Sequence, residues 1–403
     1  FPSTQTFAST TFPPTYWSVP NTWEAPGLNA WWRGNSNAYG ASGTGSALCS
    51  FENVLADRQI VLTTPNLSLG DYGGKLSYDY AYSPYLAPNA NERLDIQYSL
   101  DYGITFTTLA SYNAGTGGGM ATAAPHSGAQ WAPTSTEWAS RTLDLPPGTK
   151  QIRFLGTSAY NGRLYIDNVK FEKNYFASGT GTQTDPFTVS NATELNLIRN
   201  YPGSASSRTY FKLISDIDLL SYLSPGGEGY AAWGTNGWLP IGNNTNMFYG
   251  GLDGDGHTIS NLRTAYYGSY HGLFGMTAVG STIKNLNLSS TCSILGDADT
   301  GSIVGHNKGS IENCSSAAAV NIGNATTGGG ICGNNNAGSI IGCTFTGTVS
   351  RSGAGVTANG LGGIAGRNET GAAITNCNST GTITGSTWCG GLVGWNNGTI
   401  NRS

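Results

Sequence analysis

Five short strings in the second half of this chain are variants of one another: HGLFG (271–275), GSIVG (301–305), GGICG (329–333), GGIAG (362–366) and GGLVG (390–394). Their final glycines, Gly275, Gly305, Gly333, Gly366 and Gly394, are spaced by 30, 28, 33 and 28 residues. Asparagine stands two positions past each of the last four, as Asn307, Asn335, Asn368 and Asn396. A second string keeps step: IKNL (283–286), IENC (311–314), IIGC (340–343) and ITNC (374–377). Six residues past its end comes Cys292, Val320, Val349 or Ile383. A unit of about 30 residues cannot bury its own apolar face, so the units must stack.

Each unit reads as three short strands broken by glycine and asparagine. Stacked in register, they predict three parallel sheets wound into a right-handed β-helix. Leu273, Ile303, Ile331, Ile364 and Leu392 are expected to form one interior ladder. Ile283, Ile311, Ile340 and Ile374 form a second, and Leu286, Cys314, Cys343 and Cys377 a third. A site shared by Leu and Cys behaves as a small apolar filler, so the cysteines are expected as buried thiols. Stacked Cα atoms about 4.8 Å apart also lie within disulfide range, which leaves inter-coil bridges open. Corner asparagines suit left-handed backbone and can pair with their neighbours one coil away.

An open coil end exposes apolar side chains and strand edges, so a cap is expected. SNATELNLIRNY (190–201) supplies one, with Asn191 as N-cap, Glu194 reaching back, and Leu195 and Ile198 on one face. The last coil stops at Ser403 just after Ile400, as though another had begun. The chain opens at FPSTQTF without a basic or apolar leader, as expected of a chain whose export signal has been removed.

Residues 1–174 follow a different pattern. KLSYDYAY (75–82), RLDIQYSL (93–100), KQIRFLG (150–156) and RLYIDNVKFE (163–172) alternate with the period of two of half-buried strands. Turn clusters at 69–74 and 145–149 separate such runs, which predicts a two-sheet sandwich. Residues 175–186 have the Gly/Thr/Pro character of a linker, and 187–403 form the repeat domain. Only 10% of the 403 residues are charged, while glycine numbers 59, about twice the usual share. That composition favours strands and turns, and the fold class expected is all-β.

A net charge of −4 with no basic run argues against a nucleic-acid partner. No apolar stretch reaches the length of a membrane span. Seven cysteines include no CxxC pair, so no zinc ribbon or thioredoxin-type site is suggested. His126, His257, His271 and His306 are scattered outside any HExxH pattern, and no GxSxG elbow occurs.

The repeated strings resemble the GLUG motif of bacterial cell-surface proteins. FKLISDIDL (211–219), WLPIG (238–242), FYGGLDGDGHTISNL (248–262) and GLFG (272–275) follow the order of GLUG-bearing chains, so the resemblance covers roughly 180–403. The first part resembles the jelly-roll family of cleaved-adhesin and MAM-like domains on secreted proteins of the Bacteroidetes type. FPPTYW (12–17), ADRQIVLTTPNLSL (56–69), YSLDYGITFTTL (98–109) and LYIDNVKF (164–171) carry it. The resemblance implies a jelly roll followed by a β-helix in a secreted or surface-displayed bacterial adhesin that contacts glycan or host protein. It further implies a structural calcium at Asp57 and Asp167, although the family's early acidic residue is missing, because Ala8 and Ser9 follow Phe7.

Four positions vary where their neighbours repeat: His306, Asn334, Arg367 and Trp395. They suit a solvent-facing row free to bind a ligand, with Tyr266, Tyr267, Tyr270 and Trp388 adding an aromatic surface. In the first domain Trp31, Trp32, Tyr80, Tyr82 and Tyr85 are candidates for stacking on sugar. The alternative is a carbohydrate-active β-helix enzyme using Asp216 and Asp218, or Asp253 and Asp255, since glycosidase chemistry needs a carboxylate pair. Glycines around the second pair equally fit a turn. A third reading is an architectural stalk with no ligand.

Overall fold

Alternation in the first half produces the strand Gly74–Tyr82, whose Leu76, Tyr78, Tyr80 and Tyr82 all point into one core. The computed structural model describes residues 4–19, 31–36, 45–85, 92–115, 117–127, 130–160, 162–265, 268–323, 327–351, 360–385 and 388–403. It divides into two units, Phe1–Tyr175 and Phe176–Ser403.

The first unit is a β-sandwich. One antiparallel sheet runs in the order Trp31–Gly34, Ser46–Ser50, Arg163–Lys173, Gly74–Tyr82, Ala139–Leu145, with Thr4–Gln5 also on Arg163–Lys173. The other runs Gln59–Thr63, Gln151–Thr157, Arg93–Ser99, Thr107–Asn113. Between them Tyr78 meets Phe154 edge-on at 5.4 Å. Each such buried side chain contributes about 1.5–3 kcal/mol of transfer free energy.

The second unit is a parallel β-solenoid. Phe187, Phe211, Leu252, Ile283, Ile311, Ile340, Ile374 and Ile400 lie in one register across an eight-stranded sheet. The isoleucine ladder thus extends two strands beyond the repeat visible in the sequence before Phe187 begins it. Leu286, Cys314, Cys343 and Cys377 are all buried beside it.

Three strands per coil was an underestimate: the solenoid has five parallel sheets. One of the extra two is the row of short strands after the second string, such as Asn287–Leu288 and Ser315–Ser316, and the other arises where each glycine string divides. At the second glycine string Ala298–Gly301 turns at Ser302 and Ile303 into Val304–Asn307, and the two strands belong to separate sheets that press face to face. The glycines of the next string show what makes this possible. A Cβ on Gly329 would stand 2.0 Å from the Cys332 carbonyl oxygen, inside the bend. One on Gly333 would stand 2.3 Å from the backbone carbon of Asp299 in the facing sheet. Real Cβ atoms do not approach so closely, so both ends of the last four strings are held at glycine by backbone contact.

Cys292 is also out of place. Ile294, not Cys292, pairs with Val320, and Cys292 occupies a turn two residues earlier. The two asparagine series have separate jobs. Left-handed corners fall at Asn285 (φ 52°), Asn313 (51°) and Asn376 (54°), with Gly342 (64°) completing the set. Asn307, Asn335, Asn368 and Asn396 instead form a side-chain ladder, each Nδ2 donating to the next Oδ1 at 2.8, 2.9 and 2.8 Å.

The cap forms as the motif requires. Asn191 Oδ1 accepts from Glu194 N at 3.0 Å, opening helix Ala192–Leu197, and Glu194 accepts from Ser190 N. Leu195 and Ile198 bury in the solenoid core. Residues 176–186 are held to this unit rather than hanging as a linker. Phe176 stacks on Phe187 at 4.8 Å, and Thr188 N donates to the Ser178 carbonyl.

Six of the seven cysteines, Cys49, Cys292, Cys314, Cys332, Cys343 and Cys377, are buried free thiols. Cys314, Cys343 and Cys377 each direct their thiol at a carbonyl one coil back, those of Ile283, Ile311 and Ile340. Thiol-to-thiol contact along the stack, with burial, holds Cys343 and Cys377 well above the ordinary thiol range; burial, reinforced by the charge of Glu92 and of Asp299, does so for Cys49 and Cys332, and burial raises Cys292. Only Cys389 is exposed. A native sample titrated with a thiol-reactive chromogen is therefore expected to show one fast thiol, and all seven only in denaturant. Two or more fast thiols in the native protein contradict the stack.

Candidate functional site

Carboxylates are the first test of a catalytic reading. Asp216 Oδ1 accepts from Thr258 N at 2.8 Å and contacts His257 Nδ1 at 3.2 Å. Asp218 Oδ1 accepts from Asn261 Nδ2 and Leu220 N. Asp253 Oδ1 accepts from Asp255 N and Asn285 Nδ2, while its Oδ2 meets Lys284 at 3.1 Å. Asp255 pairs with Lys212 at 2.9 Å. All four hold turns or tie one coil to the next.

The backbone N–H of Thr258 and the contact with His257 hold Asp216 below the usual carboxylate range, and Asn261 and the Leu220 N–H do so for Asp218. Burial pushes Asp253 upward, but donors from Asn285, Asp255 and Lys284 together carry it below the ordinary value. A glycosidase acid needs the opposite shift.

The variable row is a true row: Met276, His306, Asn334, Arg367 and Trp395 share one register. It is not solvent-facing along its length. His306 and Asn334 are only 8% and 7% exposed, because the facing glycine sheet lies against them. His306 Nδ1 meets Asp299 Oδ2 at 2.8 Å, and Thr327 Oγ1 donates to Asp299 Oδ1. The row opens further along. Arg367 pairs with Glu369 and lies over the ring of Trp395 at 5.5 Å, which in turn packs on exposed Trp388 at 4.9 Å. Tyr270 stands edge-on to His306; Tyr266 and Tyr267 fall outside the described residues.

In the sandwich the adjacent tryptophans part company. Trp31 is 1% exposed and faces inward opposite Cys49, as do Tyr80 and Tyr82 in their strand, so these three fill the core rather than meet a ligand. Trp32 points to the other side of the six-stranded sheet. There Leu48, Ala81, Trp138 and Tyr165 form a second, smaller cluster, with Trp32 and Trp131 half-buried at its margin. His126 stacks on Trp131 at 6.0 Å and meets Tyr85 edge-on at 5.6 Å. Burial holds His126 below its usual range, so it is neutral at pH 7. Tyr165 Oη donates to the Trp131 carbonyl, whereas the buried Trp138 indole N–H has no acceptor among the described residues. Trp131, His126 and Trp138 were not singled out from sequence: they lie in the connection before Ala139–Leu145, which carries no periodic signal.

Asp57 and Asp167 are not brought together. Asp57 is exposed in a turn (φ 63°) before the four-stranded sheet, its N–H bonded to the Ser158 carbonyl. Asp167 is buried on the six-stranded sheet opposite Asp79, next to the Asn168 irregularity. Among the described residues no three His, Cys, Asp or Glu side chains assemble as a metal set. A calcium ion needs six to eight oxygens, so this pair does not fit the expected calcium.

With the geometry in hand, the relatives can be placed. Residues 357–384 match the GLUG motif. A Gly-rich membrane protein of Evansella cellulosilytica is 35% identical over 157 residues, covering 38% of this chain and 17% of that protein. Halomucin of Haloquadratum walsbyi is 33% identical over 177 residues, covering 43% of this chain and 2% of its own. The chain thus spans less than a fifth of either relative. Among solved structures, the K1 cleaved adhesin domain of Lys-gingipain from Porphyromonas gingivalis W83 aligns over 43% of this chain and 99% of its own, at 19% identity and a TM-score of 0.32. A mannan-recognising carbohydrate-binding module, TmCBM27, aligns over 43% and 96%, at 16% identity and a TM-score of 0.26.

Proposed function

We propose that this chain is a surface-displayed binding protein, in which the sandwich contacts a glycan and the solenoid serves as a stiff stalk. The observation that carries the reading is the outer face of the six-stranded sheet. Trp32 and Trp131 stand half-open there over a buried donor, Trp138 Nε1, that finds no partner among the described residues. Flat indole faces stack on the C–H faces of sugars, and an unsatisfied N–H suits a hydroxyl acceptor. Display outside the cell is consistent with the curated relatives, one named a membrane protein and one a halomucin. Among the described residues no helix is long and apolar enough to cross a membrane.

A soluble-glycan array followed by calorimetry on the hits is the test. Trp32→Ala and Trp131→Ala are each expected to weaken binding at least tenfold, with thermal unfolding of the sandwich nearly unchanged. Absence of any glycan ligand, together with measurable turnover of a polysaccharide, would reverse the proposal in favour of an enzyme.

A further inference from the structure

Within the second unit a cavity of about 470 Å³ opens between the end of the capping segment, the loop 239–248 and the strand Ser269–His271. That volume falls in the range of small-ligand pockets. Its most unusual wall residue is Arg199. The guanidinium lies over the indoles of both Trp233 and Trp238, at 4.9 and 5.1 Å from the ring centres. Nε donates to Asn196 Oδ1 and Nη2 to the Leu239 carbonyl at 2.8 Å, while among the described residues Nη1 reaches only the Pro240 carbonyl at 3.5 Å. Among the described residues no carboxylate pairs with it. A desolvated charge without a counter-ion is costly, and burial pushes this group down to about 10, still protonated at neutral pH.

Two further features point the same way. Asn243 Oδ1 is engaged by the N–H groups of Thr245 and Asn246, which leaves its Nδ2 as a donor on the wall. Tyr270, also on the wall, holds φ at +71°, where a bulky side chain costs on the order of 1–3 kcal/mol. Such strain gathers where a ligand is clamped. Pro202 and Leu239 offer apolar surface beside these donors.

We infer that this cavity binds an acidic sugar unit, its carboxylate or sulfate group meeting Nη1 of Arg199 and its ring lying against Pro202 and Leu239. The site is independent of the Trp32 face, and it would make the solenoid a reader of charged glycan as well as a stalk.

Calorimetry of the whole chain with D-galacturonate, galactose 6-sulfate and galactose tests this. At least one acidic sugar is expected to bind tenfold or more tightly than galactose, and which one does so assigns the oxyanion. Arg199→Gln should erase that preference. Because Arg199 also ties the cap to the loop, Ser269→Trp is the second variant: it fills the cavity from an exposed strand position and leaves every Arg199 contact in place. It should abolish binding of acidic sugar while the melting temperature stays within a few degrees. Trp32→Ala should leave that binding untouched, which separates failure here from failure of the sandwich site. Equal affinity for galactose and both acidic sugars, or binding indifferent to Ser269→Trp, overturns the inference.

Discussion

Alanine at Gly333 is expected to destabilise the solenoid by more than about 4 kcal/mol, enough to prevent the second unit from folding. The usual effect of Gly→Ala runs the other way: restricting the unfolded chain stabilises by about 0.4–1 kcal/mol where the native backbone permits. Here the added methyl would sit 2.3 Å from Asp299 C, 2.4 Å from Thr300 N and 2.6 Å from the Gly305 oxygen. All three are backbone atoms. Asp299 and Thr300 belong to Ala298–Gly301, a strand paired on both sides, so they cannot retreat without breaking two ladders. Gly391 is the internal control. Nothing lies within 4 Å of its Cβ position, so Gly391→Ala should shift stability by no more than about 0.5 kcal/mol. Urea unfolding followed by far-UV circular dichroism separates the two. Similar curves for Gly333→Ala and Gly391→Ala would show that the two glycine sheets do not touch.

The same contact explains how far the fold could be read in advance. Stacking, the isoleucine ladder, the thiol column and the cap were legible because each rests on a spacing or a capping box. The fourth and fifth sheets were not. Glycine announces a permissive backbone but not whether it permits a bend, as at Gly329, or a close approach, as at Gly333. Cys292 was misplaced because a fixed offset from the second string takes no account of the two extra residues ahead of Ile294. His306 and Asn334 read as exposed because variation was taken for freedom, whereas they vary inside a polar pocket built on Asp299. Trp31 and Trp32 are neighbours of one chemistry, and only the pairing of Trp31 with Cys49 decides which turns inward. Arg199 gave no signal, since its indole partners are more than thirty residues away.

The amide ladder should fail nearly as sharply when cut at its centre. Asn335 is fully buried; its Oδ1 accepts from Asn307, and its Nδ2 donates to Asn368 Oδ1 and to the Gly338 and Ala373 carbonyls. Asn335→Ala removes the donor of one buried amide oxygen and the acceptor of one buried amide nitrogen. At about 1–3 kcal/mol for each group left short, a loss of about 3 kcal/mol is expected. Asn396 terminates the same ladder in an exposed position, and its replacement by alanine should cost under about 1 kcal/mol. Asn313 recurs with the same period but for another reason: its backbone sits at φ 51°, which glycine adopts freely. Asn313→Gly should therefore change stability by only a few tenths of a kcal/mol. If Asn335→Ala proved as mild as Asn313→Gly under chemical denaturation, both asparagine series would be corner residues, and the coils would be held by apolar stacking and backbone pairing alone.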